Sequence, residues 1–205
     1  MEPMLPILES HWRRSFAGLC LAVPQGVFEA LVERYREPHR AYHTLQHIGE
    51  CLGRLDTVRR APAETALAIW FHDAIYDPRA SDNEKRSAAW ARAVLGDTAV
   101  SRKVEMMILA TKHDAVPLDA ASRLLVDIDL AILAAPEPRY SEYEAQIRKE
   151  FAFLDEATWR AERQKVLRRF TDRAFIYGSA EFRSLETRAR RNLERSINAL
   201  ITGKR

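Results

Sequence analysis

The sequence predicts an all-α fold, and three observations lead to this prediction. Apolar residues recur at intervals of three and four along almost the whole chain, which is the period of helices that bury one face. No stretch has the pattern of a hairpin or of a strand–helix–strand unit. A composition of 47% hydrophobic and 30% charged residues with only seven glycines, in 205 residues, is typical of a folded domain with a sizeable core.

Ten helices follow from the apolar periodicity. They are predicted over about residues 5–21, 24–36, 45–60, 62–75, 83–95, 98–112, 120–134, 140–154, 158–170 and 180–201. Helix-start and helix-stop residues support several of these bounds. Pro24 and Pro62 suit the first turn of a helix, Ser81 with Glu84 has the spacing of a capping box, and Gly96 suits a helix end.

The chain has no internal repeat, low-complexity tract or long linker, so we expect one helical domain over residues 1–205. Most candidate site residues lie between about 40 and 135. That range is the predicted core of the domain, and helices over about 139–202 are expected to pack on it.

The stretch from Val126 to Leu130 fits two structures. It alternates like a strand, which would put Asp127 and Asp129 on one face, but its apolar residues also repeat like those of a helix. In a helix the two aspartates lie about 200° apart, so only one can point at a given site. The surrounding helices favour the helical alternative.

The N-terminus lacks a basic region followed by an apolar one, and no apolar run is long enough to span a bilayer. These features predict a cytoplasmic protein without a membrane partner. Cys20 and Cys51 lack the C-x-x-C spacing of zinc and redox sites, so both are expected to be small buried hydrophobes.

Histidines and aspartates recur near predicted helix ends in this core. His43 and His47 lie four residues apart beside Thr44, a candidate cap, and His72 and Asp73 are adjacent at the end of an apolar segment. Imidazole and carboxylate ligands from separate helices suit a divalent ion such as Mn, Fe, Ni, Zn or Mg. Such an ion lowers the pKa of water and attracts a phosphoryl oxygen.

Three motifs make the chain resemble the HD superfamily of metal-dependent phosphohydrolases, in particular a branch of predicted members. They are Tyr-His-x-x-x-His at 42–47, Phe-His-Asp-x-x-Tyr-Asp at 71–77 and Asp-Asn-Glu-x-x-Ser-Ala at 82–88. The resemblance implies an HD-type helical bundle with His47, His72, Asp73 and a later aspartate as metal ligands. Asp129 is favoured for that position because Leu130 follows it directly, while Asp127 stays an alternative.

Related enzymes suggest two catalytic residues. The Tyr42-His43 pair is similar to a stretch of cyclic-nucleotide phosphodiesterases whose earlier histidine protonates the leaving oxygen, which implies His43 as general acid. Asp77 matches the last residue of the His-Asp-x-x-Glu-Asp motif of alarmone hydrolases and is the candidate for holding a water. Thr44 and Tyr76 depart from the Asn and Glu of these enzymes, which weakens the expectation of their substrates.

Four further side chains are candidates for substrate binding. Glu84 follows the predicted metal residues by a short loop, Lys112 and His113 follow another helix, and Arg148 lies in a later one. Lys112 and Arg148 suit phosphate oxygens, and His113 suits phosphate or a second metal ion. Helix capping by Glu84 and a surface location for the basic residues are the alternatives.

The predicted function is hydrolysis of a phosphomonoester or phosphodiester by metal-activated water, with a small phosphorylated molecule, for example a nucleotide, as substrate. An HD module that senses a nucleotide without cleaving it is the alternative. Residues 158–205 carry 13 Lys/Arg against 5 Asp/Glu, which also suits a nucleic-acid-binding face. No basic motif with interleaved aromatic residues is present, so nucleic acid is the least favoured partner.

Overall fold

A computed structural model describes residues 4–203, and these residues form ten α-helices joined by short loops and by 3-10 segments. The helices are α1 (Leu5–Ala17), α2 (Val27–Arg34), α3 (Leu45–Leu55), α4 (Glu64–Phe71), α5 (Asn83–Leu95), α6 (Ala99–Ala110), α7 (Ala120–Asp129), α8 (Glu137–Glu150), α9 (Glu156–Thr171) and α10 (Glu186–Thr202). The 3-10 segments span Leu130–Ala134 and Ala180–Leu185. No β-strand occurs among the described residues, and the all-α prediction is confirmed.

Helix α4 lies at the centre of the fold. Its segment Leu67–Phe71 is fully buried, because a helix that is apolar on every side must be covered on every side. It packs against α1, α3, α5, α6 and α7. Trp70 makes edge-on ring contacts with Trp12 of α1 at 5.6 Å and with Phe28 of α2 at 5.9 Å. The end of α4 that precedes His72 is therefore held in the buried core.

Side chains from another part of the chain end α4 at Phe71, earlier than the predicted residue 75. The Tyr35 hydroxyl donates to the carbonyl oxygen of Trp70 at 2.8 Å. The buried Arg40 guanidinium donates to the carbonyl oxygens of Asp73 at 2.7 Å and of Ala74 at 3.2 Å. These donors take the place of the helical bonds that would have continued α4, so the chain turns at His72.

The ends of α5 and α6 differ from the predicted pattern. The capping box between Ser81 and Glu84 is wrong, since α5 begins after Asp82 without a side-chain cap bond. A capping box is present instead at α6, where Thr98 and Ser101 exchange bonds between side chain and backbone N–H at 3.0 Å.

Glycine ends α5 as predicted: Gly96 follows the last helical residue with a φ of 69°, a value that glycine adopts without strain. The prolines lie outside their helices. Pro24 precedes Gly26, after which α2 begins, and Pro62 precedes α4 by two residues. The first-turn predictions for both prolines are therefore wrong, since Pro24 lies three residues and Pro62 two residues before the first helical residue.

Helices α8 and α10 cover the 3-10 segment that follows α7. Helix α10 packs on α9 and on the 3-10 segment Leu130–Ala134. Asn192 of α10 donates to the carbonyl oxygens of Leu133 at 2.8 Å and of Ala135 at 3.0 Å. These bonds satisfy carbonyls that the irregular segment leaves without helical partners.

The two cysteines have different environments. Cys51 is buried in α3 as expected, whereas Cys20 is exposed in the loop after α1 with a φ of 54°, so its predicted burial is wrong. Among residues 4–203 no helix has both the length and the apolarity that crossing a membrane requires.

Candidate metal centre

Three helix ends bring the predicted ligands together. Thr44 caps α3 by accepting the N–H of Gln46 at 3.3 Å, which puts His47 in the first turn of that helix. His72 follows the last residue of α4, and Asp129 is the last residue of α7. The His47, His72 and Asp129 side chains form a group that could hold a metal ion.

The donor atoms of this group face one another at short range. The Nε2 atoms of His47 and His72 are 3.1 Å apart. Asp129 Oδ1 lies 3.2 Å from Nε2 of His47 and 3.6 Å from Nε2 of His72. Asp73 Oδ2 lies 3.5 Å and 3.0 Å from the same two atoms, in the same order. Each imidazole nitrogen therefore has two carboxylate oxygens as neighbours.

These separations match those between ligands of one metal ion. Transition metals bind imidazole nitrogen and carboxylate oxygen at about 2.0–2.2 Å, so neighbouring ligands at angles of about 90–110° are about 3.0–3.4 Å apart. The five distances in the cluster run from 3.0 to 3.6 Å. His47, His72 and Asp129 therefore have the spacing that one divalent ion requires, and Asp73 Oδ2 lies beside both imidazoles.

The backbone orients the ring of His72. Its Nδ1 lies 2.9 Å from the carbonyl oxygen of Ile69, an acceptor, so Nδ1 carries a proton and donates. In the neutral ring Nε2 then has a free lone pair, and this is the atom that faces the cluster. A second partner of this kind is typical of metal-binding histidines. His47 has the thiol of Cys51 near its Nδ1, at 3.7 Å.

Charge in the cluster is strongly coupled. Burial by itself would raise the pKa of Asp129, but hydrogen bonds from His113, His47 and His72 hold that pKa well below its usual range. Burial would raise the pKa of Asp73 as well, and the charges of His72 and His43 outweigh it and lower the pKa. Both carboxylates are therefore ionised and attract positive charge to the space between them.

The two imidazoles respond in the opposite sense. Burial would lower the pKa of His72, but the Asp73 charge and hydrogen bonds with Asp129 and Asp73 raise it well above its ordinary value. The pKa of His47 is also raised, since Cys51, Tyr42 and the two carboxylates outweigh burial. A cation between the donors would take the place of protons on these two nitrogens, which lie 3.1 Å apart.

His113 reaches the cluster through Asp129. Its Nε2 lies 3.0 Å from Oδ2 of Asp129, the oxygen that does not face His47 and His72. It adopts a left-handed φ of 60°, which is uncommon for a residue other than glycine. Its backbone oxygen accepts a bond from Arg173 at 2.7 Å. His113 therefore orients a candidate ligand, while its predicted contact with phosphate or a second ion stays a prediction.

Asp127 points away from the cluster. Its carboxylate accepts the backbone N–H groups of Gly178 at 2.9 Å and of Ser179 at 2.6 Å, together with the Ser179 hydroxyl. Helix α7 runs through both aspartates, so they lie on different faces as the helical alternative requires. This geometry favours Asp129 over Asp127 as the metal-facing residue.

Asparagine at these two positions is expected to give opposite results. Asp129→Asn should weaken metal binding by at least about 100-fold, because it removes a charged ligand. Asp127→Asn should keep the metal but lower the free energy of unfolding by about 1–3 kcal/mol, because its amide would face backbone donors. Metal titration and chemical denaturation of both variants test this, and equal metal affinities would contradict the assignment.

His43 lies beside the cluster and is held by Glu150. Nδ1 of His43 and Oε2 of Glu150 are 2.7 Å apart, so Nδ1 donates and Nε2 is left for other partners. The ring stacks on Tyr76 at 4.1 Å, and its centroid lies 6.0 Å from that of His47. The structure thus places the predicted general acid next to the candidate metal site.

Glu150 is the main contributor that sequence reasoning missed. Its Oε1 accepts the backbone N–H groups of Ala41, Tyr42 and His43 at 2.7, 2.7 and 3.0 Å, and Oε2 also accepts the Tyr76 hydroxyl at 2.8 Å. Burial opposes ionisation, but the His43 charge and these bonds lower the pKa of Glu150 to about 2. Its sequence position at the end of a charged helix resembles an ordinary surface glutamate, so no local signal reveals it.

The remaining predicted residues lie in less direct positions. Asp77 is exposed, and its carboxylate accepts the N–H of Arg79 at 2.9 Å, which forms the turn before α5. Lys112 is exposed and pairs with Asp114 at 2.7 Å. Arg148 donates to the carbonyl oxygens of Phe151 and Leu154 at the end of α8. Glu84 lies in the first turn of α5. Their roles at the site stay predictions.

A cavity of about 320 Å³ adjoins the cluster on the side of α3 and α8. His47 and Asp129 form part of its wall, and its other lining side chains are mostly apolar. Arg139, bound to Glu50 by two hydrogen bonds of 2.7 and 3.0 Å, also lines it, as does Arg54. A small organic group could occupy this space next to a metal ion.

Comparison with known proteins yields no relative: no family model, no curated protein and no solved structure matches this chain. The resemblance to the HD superfamily therefore depends on the motifs alone. The structure is helical, and in it His47, His72 and Asp129 converge on a site that could bind metal.

Proposed function

We propose that this protein is a metal-dependent phosphohydrolase of the HD superfamily. The observation that carries the proposal is the set of 3.0–3.6 Å separations among Nε2 of His47, Nε2 of His72, Oδ2 of Asp73 and Oδ1 of Asp129. They have the spacing of ligands around one divalent ion. The order of the four residues in the chain agrees with the superfamily motif.

His47, His72, Asp73 and Asp129 would hold the ion, whose identity among Mn, Fe, Ni, Zn and Mg stays open. Bound there, a divalent ion would supply Lewis-acid chemistry, activating water and polarising a phosphoryl oxygen. The two imidazoles are buried, whereas the two carboxylates are 17% and 16% exposed, so a substrate approaches from the carboxylate side. His113 supports this arrangement by holding Oδ2 of Asp129.

His43 would transfer a proton to the leaving oxygen. Glu150 fixes the ring with Nδ1 protonated, which leaves Nε2 as the atom that exchanges a proton with the substrate. Tyr76 stacks on the ring and donates to the same carboxylate oxygen, so the imidazole orientation is set before substrate binds. Such prior orientation is what efficient proton transfer requires.

A phosphorylated substrate agrees with the charge beside the cluster. Arg54 lines the adjoining cavity and would balance a phosphate, whereas Arg139 there is paired with Glu50. The apolar part of the wall would accept an organic group. Lys112, Glu84 and Arg148 stay candidates for contacts with the substrate, and Asp77 stays the candidate for holding a water. A nucleotide combines a phosphate with an organic body and would therefore suit both parts of this cavity.

The proposal is tested by elemental analysis of the purified protein and by incubation with phosphomonoesters and phosphodiesters, nucleotides included, in the presence of each candidate metal. We expect metal-dependent release of product that is lost in Asp129→Asn. Thermal stabilisation by a nucleotide without any product would instead favour a sensing module. Absence of bound metal and of hydrolysis would overturn the proposal.

His43→Ala is expected to keep the metal and to lower the rate on esters with poor leaving groups by about 10²–10⁴-fold. Activated esters such as nitrophenyl phosphates should lose much less, because their leaving groups need no proton. Steady-state rates on a matched pair of esters, with metal content measured in parallel, test this. An equal loss on both esters would contradict the general-acid role.

A further inference from the structure

A second cavity, of about 410 Å³, lies outside the metal centre between α7 and the loop that follows α9. Its volume is within the range of about 300–1,000 Å³ that is typical of small-molecule sites. Arg123, Arg173 and Arg183 line it together with apolar side chains that include Val116 and Phe175. None of these residues belongs to the proposed hydrolase site.

The three arginines share an unusual feature. Arg139 and Arg163 each pair with a glutamate at 2.7 and 2.6 Å, respectively, but within residues 4–203 no carboxylate pairs with any arginine of this cavity. Asp127 also lines the cavity, yet its oxygens are occupied by Gly178 and Ser179. The positive charge of the three arginines therefore exceeds the negative charge of Asp127 on the same wall.

Two of the guanidinium groups are nevertheless held in position by hydrogen bonds. Arg173 donates to the carbonyl oxygen of His113 at 2.7 Å and lies 4.9 Å from the ring centroid of Phe170. Arg123 donates through Nη1 to the carbonyl oxygens of Pro117 and Leu118. A guanidinium has five N–H donors, so these bonds leave several free for a ligand. Groups that are already ordered lose little entropy when a ligand binds.

Arg173 is the arginine of this cavity whose charged form is disfavoured by burial. Burial lowers the pKa of its guanidinium, since removal from water disfavours the charged form and no carboxylate opposes the effect. An anion in the cavity would give Arg173 a partner of opposite charge. Because this arginine is already partly desolvated in the folded protein, a negatively charged ligand that binds it meets a smaller desolvation cost.

Flat apolar surface lies next to these charges. Phe175 is 54% exposed and has the Arg183 guanidinium 4.5 Å from its ring centroid, and Val116 is 57% exposed. Guanidinium and aromatic faces both stack on planar ligands. The cavity therefore offers an anion-binding part and a planar apolar part side by side.

We infer that this cavity binds a small organic anion with a flat apolar body. The anionic group contacts Arg123 and Arg173, and the body packs between Phe175 and the stem of Arg183. Its link to the metal centre is the bond from Arg173 to the backbone of His113, which in turn holds Asp129.

The test is isothermal titration calorimetry of the full-length protein with 1-naphthalenesulfonate, a probe that cannot be hydrolysed as a phosphate ester. The neutral 1-naphthalenemethanol supplies the body alone, and sulfate supplies the anion alone. We expect the sulfonate to bind at least about tenfold more tightly than either. Arg173→Gln, Arg183→Gln and Phe175→Ala should each weaken it by about tenfold, a change of about 1.4 kcal/mol.

Arg191→Gln is the matched control, because Arg191 is exposed on α10 and does not line the cavity, so it should bind the probe like the wild type. The titration is repeated with chelator and with Asp129→Asn. Persistence of binding there separates this cavity from the metal centre, so the proposed hydrolase function can fail without affecting the result. Affinity unchanged in all three cavity variants, binding abolished by chelator, or no wild-type binding at millimolar probe would each overturn the inference.

Discussion

Replacement of His72 by alanine is expected to remove bound divalent metal from the protein and to abolish metal-dependent hydrolysis. His72 Nε2 lies within 3.6 Å of donor atoms on His47, Asp73 and Asp129, so its loss opens the cluster on the buried side. A metal ion contributes several kcal/mol of transition-state stabilisation, and each 1.36 kcal/mol is a factor of ten in rate. The rate should therefore fall by about 10²–10⁴-fold or more.

The measurement combines elemental analysis with thermal unfolding in the presence and absence of chelator. Wild-type protein should lose thermal stability when metal is removed, because an ion that binds only the folded state stabilises it. The variant should not respond to chelator. His11→Ala is the control, because His11 is not part of the cluster. Its Nε2 lies 3.3 Å from Oδ2 of Asp56. Full metal retention by a His72→Ala, Asp73→Ala double variant would disprove the ligand assignment.

Replacement of Glu150 by glutamine is expected to have the largest effect on stability outside the apolar core. The carboxylate is buried and accepts three backbone N–H groups, the His43 ring N–H and the Tyr76 hydroxyl. An amide at this position would turn a donor toward His43 or Tyr76, leaving buried donors unpaired. We expect the free energy of unfolding at pH 7 to fall by about 3 kcal/mol.

This loss should depend on pH in a defined direction. The pKa of Glu150 falls from an ordinary 4.5 to about 2 on folding, so its ionised form stabilises the folded state. The contribution is complete above pH 4.5 and disappears as the pH falls toward 2. Denaturation curves for wild type and Glu150→Gln should therefore converge over this interval.

Glu142→Gln is the control on the same helix, because Glu142 is exposed and lies 3.5 Å from Arg139. A surface pair of this kind contributes about 0–1 kcal/mol, so this variant should stay close to the wild type at every pH. A Glu150→Gln variant with the same pH profile as Glu142→Gln would show that the buried carboxylate has no special role.

Much of the helical architecture follows from local sequence. The apolar period, together with Thr44 and Gly96 at helix ends, predicts ten helices that each overlap an observed one, because helix formation depends on contacts three and four residues apart. The observed α1, α3, α4, α7 and α8 end four or five residues earlier than predicted. The errors lie at ends that distant side chains decide. Arg40 ends α4, for example, by bonding carbonyls more than 30 residues further along the chain.

The adjacent His72 and Asp73 and the earlier His47 could be chosen from sequence, because a recognisable motif connects them. Sequence alone provides weaker grounds for choosing Asp129 over Asp127. Residues two apart in a helix face different directions, and which direction is the site depends on how α7 packs. The bonds from Gly178 and Ser179 to Asp127, and from His113 to Asp129, supply that information.

The sequence by itself determined the helical class, most helix positions and a plausible set of metal ligands, because periodicity and motif spacing are local properties of the chain. Only the tertiary structure revealed that Glu150 holds His43 and that His113 orients Asp129. It also revealed that three arginines with no carboxylate partner among residues 4–203 line a second cavity. The Glu150 contact joins residues 107 positions apart. Electrostatics and hydrogen bonding act through space, so packing decides which polar groups meet.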